Sequence, residues 1–548
     1  MRARRATAWT AAVLSITLAT AACSGVDGGP GPDKTSPAGV TISVSSSEPA
    51  NPLVPGNTDE PGGGRIVDAL FSPLVDYDPQ TAQPVHLVAE SIETTDSRVY
   101  TIRLKPGWTF HDGTPVTARS FVRAWNHTAY EPNGQQNASY FSHVEGYAQL
   151  RSSDPDGPGP EPVQPPAAQE LSGLRVVDDL TFEVTLSAPF PGFDGMLGHR
   201  AFAPLPEVFF TDPAAFAANP VGNGPFRFAS RRPGVNLVVE RYDQWPGAPK
   251  PSVAGVEFRF YSSAEAAYAD VVANDLDFTA VIPPSALADN RYQVDLAGRS
   301  TSRARLGVQY LAFPLYDPRY QDPRVRHAIS MAIDRERINQ EVFAGTRPPA
   351  DGLVPPDVPG RAAGQCGELC TFQPERAREV FESTGFAGAV ELTSNTDAGN
   401  AEWLQAACAS ISGALGVQCT LVPVPALGEH RAAVDARRVN RIYRTSRVAD
   451  HPSIENFLGP AYRTGGSAND GAYSNPAVDD LLARADAAPS EEEAHRLYQE
   501  AERLIIQDMP AIPVHFLSVQ AGWSQRLQNV TVTPSGELDL QTVAVAAG

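Results

Sequence analysis

The sequence predicts a mixed α/β protein of two or three domains, on three observations. At 548 residues the chain is too long for a single compact core. Period-two apolar alternation and period-3.6 apolar stripes recur along it, as strands and helices do. Gly and Pro number 44 and 50, together well under the ~25–30 % at which disorder becomes the better reading.

The elements follow in chain order. Arg2, Arg4 and Arg5 make a positive start, and the 17 residues from Ala6 to Ala22 carry no charge. Small residues then precede Cys23 in T-A-A-C-S-G. This is the layout of a secretory signal peptide over 1–22, too short and too rich in Ala and Thr for a membrane span. A Cys directly after the small residues resembles a bacterial lipobox, in which Cys23 becomes the lipidated first residue of the mature chain. Thr20 departs from that pattern, which prefers Leu, Val or Ile, so ordinary secretion stands as the alternative. Residues 23–39 continue as a leash: after Cys23 come five Gly, three Pro and no aromatic side chain. As a coil these 16 residues would span about 20 Å, enough to lift a globule off a membrane. No other stretch is long and apolar enough to cross a bilayer.

Around 98–104, R-V-Y-T-I-R-L puts Tyr100, Ile102 and Leu104 on one face of a strand. Asp112-Gly113 signals a turn, after which Thr117 caps a helix carrying Phe121, Val122 and Trp125. Six prolines between 152 and 169 mark an exposed loop, since strands resume on both sides. L-R-V-V-D-D-L-T-F-E-V-T-L reads as two strands around Asp178-Asp179, with Phe182, Val184 and Leu186 inward. G-N-G-P-F (222–226) lacks dinucleotide-binding spacing and reads as a turn into a strand. Asp322-Pro323 opens a helix with the stripe Val325, Ala328, Ile329, Ala332 and Ile333. Asn475-Pro476 opens another over Val478, Leu481, Leu482 and Ala485. Ser490 and Glu493 form a capping box before Ala494, Leu497, Tyr498 and Ala501. There is no internal repeat.

The formal net charge of −20 argues against nucleic acid or anionic lipid as the main partner and suits a soluble extracytoplasmic body. Four cysteines remain after Cys23, an even number in an oxidising compartment, which points to disulfides. Of the three connectivities, local pairing of Cys366 with Cys370 and of Cys408 with Cys419 is expected. A zinc site is the rival, and it lacks the usual tight second pair of ligands. No metal or other cofactor is expected.

Catalytic motifs are absent: no G-x-S-x-G, no H-E-x-x-H, no G-x-x-x-x-G-K, and ten scattered histidines. His111-Asp112 could be read as an acid–base pair, but the turn explains it better. Asp178-Asp179 and Asp479-Asp480 read as loop and helix-face charges. No nucleophile is assembled with a base, so we expect a protein that is not an enzyme.

Several blocks carry a resemblance. L-F-S-P-L-V-D-Y-D-P (70–79) and V-Y-T-I-R-L-K-P-G-W-T-F-H-D-G-T-P-V-T-A-R-S-F-V-R-A-W (99–125) resemble the bacterial extracellular solute-binding proteins of family 5. These are the peptide-type receptors of ATP-binding-cassette importers. V-G-N-G-P-F-R-F (221–228), D-P-R-V-R-H-A-I-S-M-A-I-D-R-E-R-I (322–338) and M-P-A-I-P-V-H-F (509–516) follow as later landmarks in the right order.

The resemblance implies a two-lobed α/β periplasmic-binding-protein fold, class II, with an extra subdomain and a hinge of two strands. On that template lobe I is 40–62, 206–304 and 512–548, the extra subdomain is 63–205, and lobe II is 305–511. The crossings fall near 306–313 and 511–516. The ligand is an oligopeptide or dipeptide whose backbone pairs like an added strand, passed to permease subunits by a lipid-anchored monomer. Its ammonium is received by an aspartate in a W-x-x-D-Y type motif, and Asp450 in R-V-A-D-H occupies that slot. The expected ligand-binding set is Asp450, Arg447, Val448, Ser446, His451, His515, Glu48 and Asn51. Arg447 replaces the usual Trp and His451 the usual Tyr. A cation there could receive a ligand carboxylate or acidic side chain, or pair with Asp450 and occlude the amine site. A same-fold receptor for a nickel complex, haem, an opine or an oligosaccharide is the alternative, and an extracytoplasmic hydrolase or structural lipoprotein a further one.

Overall fold

The computed structural model describes residues 39–153, 163–287, 290–395 and 400–546. The 1–22 leader, Cys23, the leash to residue 38 and residues 154–162 of the proline-rich 152–169 loop lie outside the described residues. A ten-stranded sheet runs through both lobes. Its order is Cys419–Val424, Val390–Asn395, Ile442–Val448, Ser300–Ala312, Ala511–Trp523, Phe278–Thr279, Thr41–Ser46, Gly255–Phe260, Asn236–Arg241 and Phe226–Arg232. The two central strands, Ser300–Ala312 and Ala511–Trp523, are antiparallel and 13 residues long, about twice an ordinary strand, so one pair serves two bodies.

Midway along that pair lies a waist. The register slips between Ala304 and Val308 and again between Gln309 and Tyr310, the mark of β-bulges. Burial falls at the same place: Leu517 and Ser518 are half-buried between fully buried runs. Gly307 pairs with Val448 there. A Cβ on it would come 2.8 Å from Leu517 Cδ1 and 3.1 Å from the Arg447 carbonyl oxygen, so a side chain here would have to push Leu517 aside and crowd that carbonyl.

The first lobe packs aromatic side chains. The helix Ala118–Ala129 lies on a four-stranded antiparallel sheet ordered Ala89–Thr94, Val99–Leu104, Thr181–Thr185 and Leu174–Asp178. Alternation puts Tyr100, Ile102 and Leu104 on the buried face, opposite Phe182 and Val184. Phe121 stacks on Phe182 at 5.8 Å, and Trp125 meets Phe182, Phe202 and Phe141 at 5.5, 5.2 and 5.7 Å. The two glycines of G-N-G-P-F are structural: a Cβ on Gly222 would lie 1.9 Å from the Leu70 carbonyl oxygen. Asn223 between them bonds both backbone groups of Ser72 at 2.9 Å. His111 sits against the same turn, taking the Gly222 N–H on Nδ1 at 3.1 Å, and Asp112 accepts from the Thr114 N–H at 2.9 Å.

The second lobe has its own core, drawn from Leu306 to Phe516 with Ala82 of the first lobe packed into it. The stripe from Val325 to Ile333 is expected on one helix; the helix Pro323–Met331 stops short of its last two residues, and a second, Arg335–Phe343, follows. Ala332 and Ile333 stay buried while the chain leaves the helix, and Asp334 caps the second one through the Arg337 N–H at 3.0 Å. Arg335 accounts for the break. Its guanidinium, 4 % exposed, donates to the carbonyls of Ser330 and Ile333 at 3.0 and 3.3 Å, which a continuous helix would have used. It also donates to the carbonyls of Cys370 and Pro513 at 3.2 and 2.9 Å and to Ser330 Oγ at 2.8 Å. Arg326, equally buried, serves the carbonyls of Tyr320, Gln321, Asp508 and Met509. Disulfides join Cys366 to Cys370 and Cys408 to Cys419, with Cα atoms 5.5 and 5.0 Å apart. Pro476–Asp486 and Glu491–Asp508 are helices, capped by Asn475 and Ser490.

Candidate functional site

The strand Ile442–Val448 carries the basic run to the waist and turns into the helix Ile454–Tyr462. Asp450 lies in that turn, and Asn456 in the helix's first turn fixes it. Asn456 Oδ1 accepts from the Asp450 N–H and its Nδ2 donates to Asp450 Oδ2, both at 3.2 Å. Arg447 closes the triangle: its Nε donates to the Asn456 carbonyl at 2.8 Å and its Nη2 to Asp450 Oδ2 at 3.2 Å. The Asp450 side chain remains 41 % exposed, and Arg447 is 22 % exposed.

The first lobe meets this corner through Tyr140, His143 and His199. Tyr140 stacks on His199 with ring centres 3.9 Å apart. Its phenol faces Asp450, and burial together with that negative charge holds it well above its ordinary pKa. His451 is buried, which pushes it down to about 4, so it is neutral at pH 7. Its Nδ1 lies 3.4 Å from Asn456 Nδ2, and its Nε2 has no hydrogen-bond partner among the described residues. Burial lowers His143 and His199 as well. Nearby, Arg463 pairs with Asp486 at 2.6 Å, and burial, then the Asp486 charge, pushes the Glu455 carboxyl up to about 7.

Ser446 and His515 share a row across three strands, with Gln309 between them. Arg444 Nη2 donates to Gln309 Oε1 at 3.1 Å and to Ser446 Oγ at 3.3 Å. His515, 2 % exposed, packs against Trp403 and Phe343 with ring centres 5.5 and 4.8 Å away. Its Nε2 is 3.4 Å from Arg347 Nη1, and burial holds it well below its ordinary pKa. Glu48 instead accepts from Arg231 Nη2 at 3.0 Å and the Gly234 N–H at 3.1 Å, at a hairpin turn; these bonds, Gly234 first, lower its pKa. Asn51 is half-buried in the segment after the first strand.

The structure thus gathers Asp450, Arg447 and His451 in one corner with Val448 beside them at the waist, and Ser446 with His515 in an adjoining row. Neither Glu48 nor Asn51 bonds to Asp450. Five members went unread in the sequence: Asn456, Tyr140, His143, His199 and Gln309. Asn456 left a signal, a polar residue among Ile454, Phe457 and Leu458 that is 4 % exposed. Tyr140, His143 and His199 left none, because they come from the other lobe.

Among the described residues no three His, Cys, Asp or Glu side chains converge as a metal site, and no helix is long and apolar enough to cross a membrane. Residues 83–469 match the family described as bacterial extracellular solute-binding proteins, family 5 middle. The chain is 27 % identical over 480 residues to the probable deoxycholate-binding periplasmic protein YgiS of Escherichia coli K12, covering 85 % of each. It is 25 % identical over 469 residues to the periplasmic murein peptide-binding protein MppA of the same organism, covering 82 % of this chain and 83 % of that one. The solved unliganded open form of MppA superposes with a TM-score of 0.77 at 22 % identity, over 93 % of this chain and 99 % of that one. With its two cores on one shared pair of strands, the chain belongs to the bacterial extracellular solute-binding proteins of family 5.

Proposed function

We propose that the protein captures a peptide between its lobes and hands it to the permease of an ATP-binding-cassette importer, held at the membrane face by lipid on Cys23. The waist carries this reading. Two cores joined by a bulged strand pair can rock about it, and Asp450 and Tyr140 come from opposite sides of the gap. Asp450, exposed but rigidly placed, takes the leading end of the ligand. The names of MppA and of the oligopeptide-binding protein OppA of E. coli, 25 % identical over 500 residues, favour peptides. A non-peptide solute is the second reading, favoured by the name of YgiS.

Native mass spectrometry of the purified protein separates the two, since tight receptors retain their ligand. Calorimetric titration with the retained peptide is then repeated on Asp450→Ala. Loss of a hydrogen bond to a charged acceptor should weaken binding about tenfold or more. Unchanged affinity would remove Asp450 from the site.

A further inference from the structure

The corner around Asp450 is charge-balanced before any ligand arrives. Asp450 is paired with Arg447 at 3.2 Å and Asp486 with Arg463 at 2.6 Å. The three histidines that face them, His143, His199 and His451, are neutral, and burial holds the remaining acid, Glu455, largely protonated below about pH 7. Arg447 is not a loose surface partner. Its Nε is spent on the Asn456 carbonyl at 2.8 Å, and Asn456 in turn holds both the backbone and the carboxylate of Asp450. The guanidinium cannot swing away without breaking that triangle.

We propose that Arg447 sets the ligand class: it supplies within the protein the positive charge that a free amino terminus would bring, so the receptor selects peptides whose leading amine is blocked. This rests on the reading that Asp450 takes the leading end of a peptide. An ammonium at Asp450 has to sit within a few ångströms of a fixed guanidinium, in a corner where Asp450 and Asp486 are each already matched by an arginine. An acylated or cyclised terminus offers an amide N–H instead. It donates to the exposed side of the carboxylate and adds no net charge.

The test is a competition. Random pools of tri-, tetra- and pentapeptides, one with free and a matched one with acetylated amino termini, are mixed equally, and captured peptides are counted by mass spectrometry. The native protein should enrich acetylated over free peptides by about tenfold or more. Arg447→Met, which keeps the stem and removes the charge, should shift that ratio toward free peptides by about tenfold. Arg447→Lys, which keeps the charge, should retain the native preference, and it separates the charge from any loss of folding in the first variant. Equal or greater capture of free peptides by the native protein overturns the inference and leaves the peptide reading standing. A ratio unmoved by Arg447→Met overturns it too. Capture of neither pool sinks the peptide reading, and the inference falls with it.

Discussion

The two lobes of this protein solve the same packing problem with different means. The first builds its centre from rings: Phe121, Trp125, Phe141, Phe182 and Phe202 touch one another and are fully buried. The second buries whole guanidiniums, Arg326 and Arg335, among backbone carbonyls and adds two disulfides. Ring contacts are weakly directional and yield to small shifts, whereas a guanidinium with five acceptors admits one arrangement. The second lobe also carries Arg447, Asp450 and Asn456, whose geometry depends on distances near 3 Å. Rigidity is concentrated in the lobe that carries the proposed site.

The comparison is most exposed at Arg335. Arg335→Ala removes the donor to four carbonyls and a hydroxyl inside the second lobe. It should destabilise by at least about 3 kcal/mol in urea unfolding, because several hydrogen bonds from a buried charged donor, each worth roughly 1.5–3 kcal/mol, are lost together. A loss below about 1 kcal/mol would mean that the second lobe yields as readily as the first. Phe182→Leu in the first lobe should cost only about 1–2 kcal/mol, since the surrounding rings can close on the smaller side chain. A cost matching that of Arg335→Ala would erase the distinction.

The smallest effect is a matter of pH. Glu502 of the second core is 1 % exposed and accepts from the N–H groups of Leu353 and Val354 at 2.7 and 3.3 Å, yet burial outweighs both and pushes its carboxyl up to about 7. Between its ordinary pKa of 4.5 and about 7 the native state therefore holds more protons than the unfolded chain, and stability falls as pH rises through that window. Glu502→Gln keeps an acceptor for both N–H groups and cannot ionise. It should raise Tm by about 2 °C at pH 8 and leave it unchanged at pH 4, read by scanning calorimetry. A gain of equal size at both values would place the effect in packing instead of charge.

Legibility in the sequence followed how local each cause was. The strands of 99–104 and 174–186 could be read because side-chain alternation is written in neighbouring residues. The break at 332–334 could not: Ala332 and Ile333 keep to the apolar stripe, and Arg335 reaches carbonyls as far away as Pro513. The crossing strands were visible where they are apolar, at 306–313 and 511–516. Their other halves hide behind polar residues such as Ser302, Arg303 and Gln520. Asp450 was singled out by its slot in the motif that the resemblance implies, and Arg447 by its departure from that motif. That Asn456 binds the two into one triangle depends on how the turn closes onto the next helix.

Gly307 has a consequence of its own. It belongs to the strand that crosses the waist, and it shares a ladder with Val448, while the Ala449 N–H donates to the neighbouring Leu306 carbonyl at 2.8 Å. The strand that crosses between the lobes and the strand end that leads into the Asp450 turn are thus bonded side by side. Such a linkage works like a crank: the angle between the lobes and the aim of the carboxylate change together. On the proposed reading, a permease that senses only how far the lobes have swung would be informed, through two hydrogen-bonded strands, of what rests on Asp450.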